Sequence, residues 1–166
     1  MNSNSELLKK IQNGNPELLA EAVKEIKENG NLSIAQMLLE NLGNIRDAHT
    51  LTTIVNLLAD IKENAFREIL INALQSASQP SIKTELLRII WESSLDYSRY
   101  LPIFLDILQN DDFTTAFEAS TVIENMVHNL TTEQHQQLHE FIETFPGNKQ
   151  FLVENIHTEM GCCEND

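Results

Sequence analysis

Cysteine, proline, glycine and tryptophan are scarce: 2, 4, 5 and 1 in 166 residues, with aromatics at 6 %. The two cysteines, Cys162 and Cys163, are neighbours, and adjacent thiols cannot staple distant elements, so no disulfide framework is expected. Few Gly and Pro, with little apolar alternation at period two, argue against an all-β or doubly wound α/β chain. No apolar run nears the ~18 residues that a membrane crossing needs. The N-terminus, Met1-Asn2-Ser3-Asn4-Ser5-Glu6-Leu7-Leu8-Lys9-Lys10, has no apolar leader core and reads as no secretory signal. Both observations suit a reducing cytoplasm. Positive charge is scarce too. Eleven Lys and Arg face 25 Asp and Glu, a net −14, which argues against a nucleic-acid backbone as partner.

What is present is apolar weight in a repeating pattern. Hydrophobic residues make up 42 % of a one-domain length, enough for a sizeable core and too much for a disordered acidic tail. They recur at n, n+3, n+4 and n+7, a single stripe on a 3.6-period helix. One series, the A helices, runs through Ala35, Leu38, Leu39, Leu42, then Phe66, Ile69, Leu70, Ala73. It continues with Leu101, Phe104, Leu105, Leu108 and with Leu138, Phe141, Ile142, Phe145, and opens on an incomplete Asn4, Leu7, Leu8, Ile11. The second series, the B helices, interleaves with it: Leu19, Ala22, Val23, Ile26, then Leu51, Ile54, Val55, Leu58, then Leu86, Ile89, Ile90, Ser93. Ala119, Val122, Ile123, Met126 and Lys149, Leu152, Val153, Ile156 complete it. Leading A positions are 31, 31, 35 and 37 residues apart, and leading B positions 32, 35, 33 and 30.

Breaks between stripes carry turn and cap chemistry. Asn13-Gly14-Asn15-Pro16 separates the first pair, with Pro16 near a favoured first helical position. Gly43-Asn44 gives a C-cap signal. Asp111 and Asp112 meet a helix N-terminus, and Thr131 and Gln134 have capping-box spacing. One helix pair buries too little apolar surface alone, and stacked neighbours share a core. The expected fold is therefore all-α, a right-handed α-α superhelix of about ten helices in five antiparallel pairs. It forms one domain over 1–158, with a flexible C-terminal tail over 159–166. In that tail Cys163-Glu164-Asn165-Asp166 lacks the aliphatic pair of a prenylation box.

Leu101-Pro102-Ile103-Phe104-Leu105-Asp106-Ile107-Leu108, the turn Asn110-Asp111-Asp112 and the following Ala119, Val122, Ile123 and Met126 resemble a HEAT or armadillo-like repeat. The likeness lies in a Pro-bearing A helix, an Asp-containing turn and an Ala/Leu-rich B helix. Ile82-Lys83 stands where the family often has Val-Arg, while Ala116 or Phe117 replaces the family's Arg in the fourth pair. The Trp, Gly and Tyr signature of tetratricopeptide repeats is missing. The resemblance spans nearly the whole chain. It implies a HEAT-like solenoid that binds other proteins and transfers no catalytic residue.

In such solenoids the B helices line the concave face. The face opposite each B stripe holds n+2, n+5 and n+9: Glu21, Lys24, Glu28; Thr53, Asn56, Asp60; Arg88, Trp91, Leu95; and Thr121, Glu124, His128. The partner-binding surface is accordingly assigned to Trp91, Arg88, Leu95, Asn56, Asp60, Thr121, Glu124 and His128. The sole Trp, off its core stripe, has the chemistry of a binding anchor. The competing reading packs Trp91 and Leu95 against neighbouring helices. Charge is uneven: residues 1–99 hold 13 acids and 10 bases, residues 100–166 hold 12 acids and the single base Lys149. A one-signed surface either keeps the chain dispersed or steers a basic protein or peptide.

Candidate chemistry is thin. His135 and His139 are one helical turn apart, with Glu143 a turn further and His128 ending the preceding helix, a weak metal-ligand spacing beside the reading of a boundary histidine. No metal is assigned. There is no Gly-rich phosphate loop and no nucleophile elbow, and no catalytic residue or cofactor is implied. The expected function is a non-catalytic protein-interaction module. Its alternatives are a small HEAT-like enzyme of the chromophore-lyase type, needing an apolar cleft, and a self-assembling solenoid joined through its ends.

Overall fold

The structure, a computed structural model, describes residues 3–163, without the side chains of Ser3, Cys162 and Cys163. The readings of the first two residues, of the thiols and of residues 164–166 lie outside it. The described residues are helical and turn-forming, with no strand. The α-helices are α1 (Ser3–Gln12), α2 (Pro16–Asn29), α3 (Leu32–Asn41), α4 (Ala48–Ala59) and α5 (Phe66–Ser76). They continue as α6 (Pro80–Glu92), α7 (Leu101–Asn110), α8 (Phe113–Met126), α9 (Thr132–Thr144) and α10 (Glu154–Cys163). Single 3-10 segments cover Leu42–Asn44, Ser98–Tyr100, Val127–Asn129 and Gly147–Leu152.

At α2, α3, α4, α8 and α9 a side chain accepts from the orphan backbone N–H groups of the first turn. Before α2, Gly14 takes a left-handed φ of +73°, which lets Asn15 accept from the N–H of Glu17 at 2.8 Å. Asn31 caps α3 by accepting from Ile34 N–H at 3.1 Å. Asp47 caps α4, accepting from both the N–H and the hydroxyl of Thr50 at 2.7 and 2.8 Å. Thr131 and Gln134 form the reciprocal capping box at α9. Between α2 and α3 only glycine fits at position 30, where a Cβ would collide with the Ile26 carbonyl oxygen.

The chain gathers into two compact units, Met1–Ser94 and Leu95–Asp166. The reading of one domain over 1–158 marked no boundary at residue 94. In the first unit α1 packs on α3 and α3 on α5, while α2 packs on α4 and α4 on α6. The stripes meet in a core that fully buries Ile11, Leu38, Ile54, Phe66, Leu70 and Leu86. In the second unit α7 packs on α8, and α10 packs on both α8 and α9, around buried Phe104, Ala119, Ile123, Leu138 and Val153.

Three local expectations change. Gly43-Asn44 is not a left-handed cap, because the last turn after α3 tightens into the 3-10 segment Leu42–Asn44. The last B helix does not run through Lys149. After Pro146, Gly147–Leu152 winds as 3-10 and α10 starts only at Glu154. The 3-10 winding still turns Leu152 and Val153 inward. The region read as a tail from 159 is helical through Cys163, because Met160 extends the stripe of Leu152, Val153 and Ile156 into the core at 8 % exposure.

Phe104 and Phe117 differ only in which way their helices turn them. Phe104→Ala is expected to lower unfolding free energy by about 3–5 kcal/mol, and Phe117→Ala by no more than about 0.5 kcal/mol. Urea midpoints of the two variants measure the contrast, and equal losses would contradict the assigned core.

Candidate functional site

Helix α8 buries Thr115, Ala116, Ala119, Ser120, Val122, Ile123 and Met126. At 100° per residue the opposite face carries Phe113, Phe117, Thr121 and Glu124 in one row. The helix is held at its start by Asp112, which accepts from the Thr115 hydroxyl at 2.6 Å and from Thr114 N–H at 3.0 Å. That cap sets where Phe113 stands, one residue further on. Phe113 is 60 % exposed and Phe117 52 %, and Phe151, carried by the 3-10 segment before α10, is 51 % exposed. Their rings touch: centroids lie 6.3 Å apart for Phe113 and Phe117 and 5.8 Å apart for Phe113 and Phe151, both pairs tilted. Three contiguous, half-open rings make an apolar surface patch rather than scattered exposure.

Thr121 and Glu124, assigned to the recognition face from sequence, are half-buried on this same row. The Thr121 hydroxyl donates to the Phe117 carbonyl at 3.2 Å. His128 leaves the row, because α8 ends at Met126 and a 3-10 turn follows. Its Nε2 lies 3.5 Å from a Glu159 carboxylate oxygen of α10. Leu95 is not on α6, which ends at Glu92 with Ser93 extended. Leu95 is half-buried and belongs to the second unit.

The remaining assigned residues lie in the first unit. Asn56 is exposed on α4, and Asp60 is exposed at its C-cap. On α6, the Arg88 guanidinium lies 2.8 Å from the Glu92 carboxylate one turn on, and Trp91 is half-buried. On α2, Lys24 and Glu28 pair at 4.0 Å. The eight assigned residues therefore divide four and four between the units.

A pocket of about 240 Å³ in the first unit has an apolar floor of Leu38, Leu57 and Leu58 and a rim bearing Asp60 and Lys62. Drug-sized ligands generally occupy about 300–1,000 Å³. Among the described residues no group of three or more His, Cys, Asp or Glu gathers as metal ligands. His139 instead lies 3.4 Å from Glu143 along α9. Lowered carboxylates sit at helix starts. Hydrogen bonds from the Thr50 N–H and hydroxyl hold Asp47 below its ordinary value, and bonds from the Thr115 hydroxyl and N–H do the same for Asp112. Glu133 is lowered by its own backbone N–H and by Thr131. These are capping interactions, not a constellation for proton transfer.

The unit around the rings is strongly acidic. Residues 95–166 hold 13 Asp and Glu against Arg99 and Lys149, whereas residues 1–94 hold 12 against 9. Sequence reading missed Phe113, Phe117 and Phe151. The signal for the first two is their spacing, six and two residues before Ala119, which sets them on the α8 face opposite the stripe. Phe151 carries no such signal, because its placement depends on the 3-10 winding. No family model, no curated protein and no solved structure matches the chain.

Asp112 has a folded-state pKa below its ordinary 3.8. Its charge therefore adds stability above that value, and the contribution is lost as pH falls through the lower folded-state value. Asp112→Asn keeps a capping oxygen without charge. The Tm gap between wild type and this variant is expected to be open at neutral pH and to close below 3.8. For Trp91, half-burial predicts emission between the fully buried and fully hydrated limits, with measurable acrylamide quenching; a blue-edge emission resistant to quencher would remove it from any recognition surface.

Proposed function

We propose that the chain is a non-catalytic protein-interaction module whose helix pairs are HEAT- or armadillo-like repeats forming a right-handed superhelix, and that it works in the cytoplasm. In this reading the B helices present their outer row to a protein or peptide partner. The packing of α1 on α3 on α5 beside α2 on α4 on α6 in the first unit supports the repeat. The observation that carries the functional reading is the α8 row, where Phe113 and Phe117 stand open to solvent beside Thr121 and Glu124. Large aromatic side chains held on a rigid helix are the chemistry of binding anchors. Trp91 serves as a second anchor on α6, and the acidic surface speeds and orients encounter with a basic partner.

The test is capture by the immobilised full chain from native lysate, followed by hydrogen exchange of the complex. The reading expects a retained protein whose presence slows exchange in α4, α6 and α8. Trp91→Ala or Glu124→Lys should cut retention about tenfold. Retention no greater than on bare resin, or protection confined to the A helices, contradicts it.

A further inference from the structure

We infer that the Phe113, Phe117 and Phe151 cluster is the docking site for a basic peptide segment that places an apolar side chain between Lys or Arg residues. The inference rests on the interaction-module reading and names the site and the chemistry of its occupant. Each ring is more than half exposed, yet each touches another, so the patch is preassembled and loses little conformational freedom on binding. Phe113 and Phe117 are fixed by one helix, one turn apart, and Phe151 closes the cluster from a different element of the same unit. An apolar anchor laid across the three rings buries surface that no described residue covers.

Charge selects the occupant. No Lys or Arg occurs from Tyr100 through Asn148, and the only base from there to the C-terminus is Lys149, itself half-buried. Asp111 and Asp112 precede Phe113, Glu118 follows Phe117, and Glu154 follows Phe151 by three residues. An apolar patch inside such a field attracts cationic segments and repels anionic ones. A second copy of this chain brings the same sign of charge to the same surface and is disfavoured. An anionic membrane surface and a nucleic acid are disfavoured for the same reason.

The probe is a short fluorescent peptide of Lys and Arg flanking a Leu-Leu-Phe core, titrated into the full chain. Two control peptides replace the basic residues by Glu, or the core by Ser. The core peptide is expected to bind, both controls to bind at least about tenfold more weakly, and added salt to weaken the core peptide by a similar factor. Phe113→Ser and Phe151→Ser are each expected to cost about tenfold or more in affinity. All three rings are surface residues, so melting curves should match wild type, and Phe117→Leu should retain most of the affinity.

Unchanged affinity in both Ser variants overturns the inference, as does equal binding of the Glu peptide. So does concentration-dependent mass of the free chain that Phe113→Ser abolishes, which would assign the patch to a second copy. If the core peptide binds with loss only in Trp91→Ala, the docking site falls and the interaction-module reading stands. If wild type binds none of the peptides the inference falls, and the lysate capture decides the broader reading separately.

Discussion

Every helix of this chain carries one apolar stripe, and no helix can cover its own. An isolated stripe of four residues leaves too much hydrocarbon in water, and short helices are marginal without tertiary packing. In the first unit the constraint is met by setting helices against those two places along the chain. α3 meets both α1 and α5, and α4 meets both α2 and α6. Burial of Leu38, Ile54, Leu70 and Leu86 is the outcome. Everything that faces outwards is then a by-product of which side the stripe claims.

Capping decides how accurately those faces are presented. Asn15, Asn31, Asp47, Asp112 and Thr131 each accept backbone N–H groups, which fixes the residue at which a helix begins. After Pro146 the chain winds as 3-10 through Leu152 and the next α-helix starts at Glu154. At Asp112 the consequence of the cap reaches the surface, because Phe113 is the first residue of α8 and its ring leans on Phe117 and Phe151. The same carboxylate that starts the helix thus places an edge of the aromatic patch.

Electrostatics and apolar exposure act together in the second unit. A patch of three open rings on a neutral protein invites indiscriminate association. In the proposed reading, the thirteen acids against two bases in residues 95–166 repel like-charged molecules and admit opposite charge to the rings.

The all-helical class, nearly all helix positions and most of the core were legible in the sequence, because a stripe at helical period is a local property of consecutive residues. Leu101, Phe104, Leu105 and Leu108 needed no partner to be read as one face, nor did Thr131 and Gln134 to be read as a cap. The position of Thr121 and Glu124 on the outer row of α8 is likewise a matter of helical spacing. The tertiary structure alone decided where helices stop, since the termini depend on competition between α and 3-10 hydrogen bonds under packing. That competition took His128 off the α8 row and left Leu95 beyond the end of α6. It also brought Phe151 against Phe113, 38 positions earlier in the chain. No local pattern encodes such a meeting, because it arises from the way α10 and its preceding turn pack on α8.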